Sequence, residues 1–150
     1  MAAPTWVPGQ VLSASDVNLW FVDLAAYKTS ATTRTTLTVA PDPDLTLTLA
    51  PSAFYRVHAG IGYSCASGGI SYNFSITAGT TGIFENATGG IQNPWNTLLA
   101  GSSNTVGGLS ITGLLSTGTG GTFAYQWASQ SGPASLSVSA YSYLTATRIG

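Results

Sequence analysis

Leu45-Thr46-Leu47-Thr48-Leu49 alternates aliphatic and hydroxyl residues. Successive side chains of an extended chain point to opposite faces, so this run has one apolar face and one polar face. The same two-letter pattern returns in Ile70-Ser71-Tyr72-Asn73-Phe74-Ser75-Ile76 and in Leu136-Ser137-Val138-Ser139-Ala140. Such alternation marks half-buried antiparallel sheet. Ser, Thr and Asn fill outward positions that charged residues hold in most soluble proteins. A packed, scaffold-like β domain with little titratable chemistry follows.

Length and charge narrow the options. The 150 residues suit one domain of common size. Only 6% of them are charged, against about 25% in an average soluble protein, and the formal net charge is −1. No basic patch is available to hold nucleic acid. Weak colloidal repulsion favours association, so a dedicated oligomer or assembly partner is expected. Cys65 is the single cysteine, which rules out a disulfide within the chain. Met1-Ala2-Ala3-Pro4-Thr5-Trp6 lacks the basic start and apolar run of a secretory signal, and no stretch approaches the roughly 20 apolar residues of a membrane span. The expectation is a product made and held in a cytoplasm, with no membrane partner; the sequons at Asn73 and Asn86 are then chance matches.

One segment departs from the β pattern. Ser13 and Asp16 have the spacing of a capped helix start, and Val17, Trp20, Phe21, Leu24 and Tyr27 follow three and four residues apart. The spacing predicts a short amphipathic helix over residues 14 to 27. Trp6 precedes it on an extended stretch bounded by Pro4 and Pro8. Such an apolar stripe packs either on its own domain or on a neighbouring subunit, and the second option makes residues 1–30 an anchor arm. The remaining residues, 31–150, form the sandwich domain, entered through a polar linker over Thr29 to Thr36.

Strands are predicted at 35–40, 45–49, 53–66, 69–77, 109–116, 122–129 and 135–149, with shorter ones near 82–86 and 97–100. Turn residues separate them: Pro41-Asp42-Pro43-Asp44, Ala50-Pro51-Ser52, Ser67-Gly68-Gly69 and Gly118-Thr119-Gly120-Gly121. Many short strands with frequent turns indicate an all-β antiparallel sandwich or jelly roll. In the run from Ala53 to Ala66, alternation puts Tyr55, Val57, Ala59, Ile61, Tyr63 and Cys65 inward, with Cys65 a buried thiol, and Arg56 and His58 outward. Phe123, Tyr125 and Trp127 share one face of their strand, and Tyr141 and Tyr143 one face of the last. Neither face of these two strands looks freely solvated, so they lie centrally or against a second protomer.

Groups able to catalyse are few: Asp16, Asp23, Asp42, Asp44, Glu85, His58 and Cys65, with Lys28, Arg34, Arg56 and Arg148 as the cations. One histidine and one cysteine cannot make an ordinary zinc site, and Asp42-Pro43-Asp44 lacks the spacing of a calcium loop and reads as a carboxylate-capped turn. A carboxylate pair for glycoside hydrolysis would require Asp42 or Asp44 to face Glu85 across a cleft. No Gly-x-Ser-x-Gly elbow accompanies His58, and the glycine pairs 89–90, 107–108 and 120–121 lack the Lys-Ser/Thr of a phosphate loop. The expectation is therefore no enzyme, no cofactor and no metal. Trp95, in Gln92-Asn93-Pro94-Trp95-Asn96, has two readings: an exposed indole for a host glycan, or a loop residue folded over the end of the sandwich.

Several stretches in order resemble the β domain of small structural proteins of tailed bacteriophages. They are Asp42-Pro43-Asp44-Leu45-Thr46-Leu47-Thr48-Leu49 with Ala53-Phe54-Tyr55-Arg56-Val57, Ser71 to Gly82, Gly121 to Ser129, and Ser142 to Ile149. Gly9-Gln10-Val11-Leu12-Ser13-Ala14-Ser15-Asp16-Val17-Asn18 is similar to a leader on phage tail-fibre and virion-surface proteins. The resemblance implies a C1q/tumour-necrosis-factor-like jelly roll, often trimeric, on a virion surface, and brings no catalytic residues. It leaves head and tail open. A compact domain with a short arm favours a head decoration protein bound to the major capsid protein or other virion proteins, and the alternative is a tail-tip or short-fibre protein that binds a host surface glycan. On this reading Trp6, Val17, Trp20, Phe21, Leu24 and Tyr27 anchor the chain, Arg56, His58, Tyr141 and Tyr143 lie at a trimer interface, and Trp95 is the glycan contact of the alternative.

Overall fold

The structure, a computed structural model, describes residues 9, 11, 23–86, 93–101, 106–130 and 134–150. Among the described residues every regular element is a strand. In chain order these are β1 (Asp23–Tyr27), β2 (Thr32–Arg34), β3 (Ala40–Leu49), β4 (Phe54–Cys65), β5 (Ile70–Ser75), β6 (Thr81–Asn86), β7 (Asn93–Pro94), β8 (Leu99–Ala100), β9 (Val106–Ser116), β10 (Gly121–Ser129), β11 (Leu136–Val138) and β12 (Tyr143–Arg148). All pairings are antiparallel. One sheet runs β1-β12-β4-β9-β6-β7, with β11 also paired to β4 and β2 paired to β11, and the other runs β3-β10-β5-β8. The chain crosses between sheets from β2 to β3, β3 to β4, β4 to β5, β5 to β6, β7 to β8, β8 to β9, β9 to β10 and β10 to β11. With β1-β12-β4-β9 packed over β3-β10-β5-β8, the strand order is that of a jelly roll.

Alternation decides which side chains fill the space between the sheets. Leu45, Leu47 and Leu49 of β3 are buried, as are all six residues expected to point inward from β4, Cys65 among them. The outward set, from Phe54 to Ser64, is exposed or half-buried. Aromatic rings form the centre. Phe74 stacks on Phe123 at 5.0 Å between centroids and meets Trp95 edge-on at 4.9 Å. Ring pairs of this geometry add roughly 0.5–1.5 kcal/mol each beyond the area they bury. Gly113 makes room for the indole, since a Cβ there would lie 2.6 Å from the Trp95 ring.

Five expectations need correction. The strand expected over 35–40 is loop as far as Ala40, where β3 begins, and the strand lies earlier, as β2 within the stretch expected to be a linker. The C-terminal end of the expected helix is strand: Asp23–Tyr27 pairs with Thr147–Tyr143 of β12, while residues 14–22 lie outside the described residues. Residues 23–30, grouped with the arm from sequence, therefore belong to the sandwich. Pro41-Asp42-Pro43-Asp44 does not end a strand but sits inside β3, because β3 is a sheet edge where missing N–H groups are tolerated. The pairing with β10 shifts register between Ala124 and Gln126, and Asp44 N–H and Thr46 Oγ1 bond back to Asp42, so turn chemistry survives as a bulge. Finally, the expected strand over 135–149 breaks in two at Ser139–Ser142, where Tyr141 adopts φ 67. Tyr141 thus sits in a turn and shares no strand face with Tyr143.

Candidate functional site

Two places gather the side chains with chemical or adhesive character. The first is the outer face of the larger sheet. Strand register lays its residues in rows: Asp23, Thr147, Arg56, Leu114, Ile83 and Pro94 in one, and Ala25, Thr145, His58, Thr112 and Glu85 in the next. Most positions are Thr, Ser, Gly or Ala, yet Tyr27, Phe54, Ile83, Val106 and Leu114 are large apolar residues left exposed here. Arg56 divides two shallow depressions. One, of about 270 Å³, is lined by Arg56, Ile83, Glu85, Thr112, Gly113 and Leu114. The other, of about 370 Å³, lies between Arg56, His58, Thr112, Thr145 and Thr147.

Of the four residues assigned to a trimer interface, three come together on this face. His58 and Tyr143 meet edge-on at 5.4 Å between rings, with the hydroxyl 3.4 Å from Nδ1, and Arg56 is two residues before His58 on β4. Tyr141 stands apart on its turn, 90% exposed. The anchor stripe also divides. Leu24 is half-buried against the core and Tyr27 points outward from the same strand, because β1 has a period of two where a helix would have put both on one side. Trp6, Val17, Trp20 and Phe21 lie outside the described residues. Trp95 is 1% exposed, its Nε1–H donating to Leu114 O at 2.9 Å. No face of that indole is open to a glycan, and the folded-over reading is the one the structure carries.

The second place is a buried polar cluster where the broken strands meet. β1 stops at Tyr27 and β11 ends before Tyr141, and the two gaps are joined by Lys28 N–H to Ser142 O and Tyr141 N–H to Lys28 O, both 2.9 Å. Lys28 continues the alternation of β1, in which Leu24 and Ala26 face inward, and so carries its side chain between the sheets. Its Nζ donates to Asp42 Oδ1 at 3.0 Å and Oδ2 at 3.2 Å, to Asp44 Oδ2 at 2.8 Å and to Thr32 Oγ1 at 2.9 Å. Lys28 and Asp42 are both completely buried. Asp42 also accepts from Trp127 Nε1 at 2.8 Å and from the backbone N–H groups of Asp44 and Leu45. Arg34 closes the same end, its guanidinium 4.2 Å above the Trp127 ring and bonded to the carbonyls of Ala40, Pro41 and Trp127. Desolvation lowers the Arg34 pKa, opposed by the charge of Asp42. Desolvation of a buried ion pair is expensive unless every partner is satisfied, and here Asp42 receives five hydrogen bonds. Sequence reasoning only counted Lys28 among the four cations; no local pattern links residue 28 to residues 42, 44 and 127.

This placement separates the carboxylates. Asp42 lies between the sheets at the Lys28 end, whereas Glu85 is on the outer face of the larger sheet, so they share no cleft for glycoside hydrolysis. Among the described residues, no group of three or more His, Cys, Asp or Glu side chains could hold a metal ion.

No protein-family model matches the chain, and no curated protein matches it. Among solved structures it is similar to the Eiger TNF of S. frugiperda, at 11% identity and TM-score 0.49 over 87% of this chain and 93% of that one. It is also similar to the tripod (BppUct-A-L) from the baseplate of bacteriophage Tuc2009, at 13% identity and TM-score 0.40 over 99% of this chain and 75% of that one. At such scores neither likeness carries function across, and the fold stands on the strand order itself.

Proposed function

We propose that this chain is a non-enzymatic structural protein of a tailed-bacteriophage virion, a homotrimer displayed on the particle surface and held by the residues before β1. The observation that carries the reading is the outer face of the larger sheet, a broad, charge-poor surface with Tyr27, Phe54, Ile83, Val106 and Leu114 exposed on it. Scattered apolar residues are normal on a monomer, but Phe54, Leu114 and Ile83 lie in two adjacent rows at one end of this face, and a cluster of that kind suits contact with another protein surface. The resemblance in sequence to phage virion proteins supplies the setting. Three copies meeting through these faces would cover the apolar residues together with Arg56, His58 and Tyr143.

Head decoration remains the favoured position, with the major capsid protein or other virion proteins as partners. Many copies of a small module spread modest contact energies over a shell. The tail-fibre alternative loses its glycan residue, since Trp95 is buried. Light scattering on the purified protein should give three times the monomer mass, and a monomer at micromolar concentration would overturn the trimer. Copy number in purified virions distinguishes the positions, because a decoration protein approaches the abundance of the capsid protein and a fibre does not.

A further inference from the structure

We propose that Lys28 and Asp42 condense into an amide, a self-formed cross-link between the chain leaving β1 and the edge strand β3, with Asp44 carrying the proton. The inference goes beyond the virion reading and does not depend on it. Nζ of Lys28 lies 3.0 and 3.2 Å from the two oxygens of Asp42. However the carboxyl plane is turned, those distances hold the nitrogen within about 3.5 Å of Cγ, the range of a near-attack arrangement. Asp44 Oδ2 is 2.8 Å from the same nitrogen. Oδ1 of Asp42 already faces the backbone N–H groups of Asp44 and Leu45, at 3.0 and 3.3 Å. Two such donors line the place where negative charge develops when an amine adds to a carboxyl carbon.

The reactive form is one proton transfer away, along the hydrogen bond that already joins the pair. Moving one proton from Nζ to Asp42 converts the ion pair to an amine and a carboxylic acid with no change in total charge. The Nζ lone pair then attacks Cγ and the N–C bond forms. Asp44 takes a proton from the nitrogen and delivers it to Oδ2. The Cγ–Oδ2 bond breaks and one water leaves, so atoms balance with no oxidant or co-reactant. Cyclisation of the Asp42 carboxyl onto the next amide, the usual competing dehydration, is blocked because Pro43 has no N–H. The event happens once per chain and turns nothing over. Its mechanical consequence is specific: β1 is an edge strand held to the sheet by β12, and a bond from Lys28 to β3 would pass tension from upstream residues into the opposite sheet.

Intact mass spectrometry of the purified full chain under denaturing conditions tests this. The expected mass is one water below that of the sequence, with proteolysis releasing the Lys28 and Asp42 peptides as a single linked species. Asp44→Asn keeps both reacting groups and alters a partly exposed side chain, so circular dichroism should show an intact fold while the full mass returns. A wild-type chain at full mass after prolonged incubation, with the Lys28 and Asp42 peptides recovered separately, overturns the proposal. So does a lost water that maps elsewhere, such as to Asp44-Leu45. Dehydration of Asp44→Asn at an unchanged rate would overturn the role given to Asp44.

Discussion

Replacing Trp95 with alanine separates a core residue from a ligand platform. The indole is 1% exposed, lies 5.1 Å from Phe84 in a stacked pair, and meets Phe74 and Phe123 edge-on. Truncation removes nearly the whole side chain from a site whose floor, Gly113, has no Cβ with which to fill the gap. Large aromatic-to-alanine changes in cores cost about 3–5 kcal/mol. The lost Nε1–H also leaves Leu114 O without this donor, so the upper part of that range applies. In a chain of this size each kcal/mol moves the melting temperature by roughly 2–4 °C, so Trp95→Ala should melt on the order of 10 °C or more below wild type. Trp95→Phe, which keeps a ring but loses the hydrogen bond, should fall between them. Thermal unfolding followed by circular dichroism measures all three proteins. If Trp95→Ala melts within a degree or two of wild type, the indole is not packed as described and the ligand reading returns.

Alkaline pH should expose a second buried aromatic. The Tyr125 hydroxyl is fully buried with no hydrogen-bond partner among the described residues, and desolvation, reinforced by Tyr72, Asp42 and Tyr63, raises its pKa well above the ordinary 10. Folding therefore favours the neutral phenol. That stability is fully present below the unfolded tyrosine value and is lost as pH climbs from about 10 through the higher folded value. Tyr125→Phe should be neutral or more stable by about 1 kcal/mol at pH 7 and lose less stability between pH 9 and 11 in denaturant titrations; equal loss in both proteins would contradict this. Leu114→Asp, on the exposed face, should abolish trimers in light scattering while leaving the melting temperature of the folded domain nearly unchanged. Removing residues 1–22 should leave a folded sandwich that no longer joins virions, whereas a deletion reaching Lys28 should also unfold it, because β1 and the Lys28 ion pairs are lost; normal incorporation of the shorter truncation would refute the anchor.

Much of the fold was legible because sheet geometry writes itself locally. Side chains alternate at a period of two, so the burial of every second residue from Tyr55 to Cys65 and the shared face of Phe123, Tyr125 and Trp127 could be read from order alone. The chain reverses at 50–52, 67–69 and 118–121 for similarly local reasons, with positive φ at Ser52, Gly68, Gly69, Gly120 and Gly121. Amphipathic spacing over 14–27 misled at its end, since Leu24 and Tyr27 satisfy a helical period and a strand places them on opposite faces.

Alternation of aliphatic and hydroxyl residues, the scarcity of charge and the single cysteine determined by themselves an all-β sandwich held by packing. Each is a property of neighbours along the chain, or of composition, and needs no knowledge of what lies opposite. Only the tertiary structure decided that Pro41 to Asp44 continue a strand, that Trp95 is core, and that Lys28 meets Asp42, Asp44 and Trp127. Those outcomes depend on which sheet edge a segment occupies and which distant strand crosses it, and contacts of that kind leave no periodic trace in the sequence.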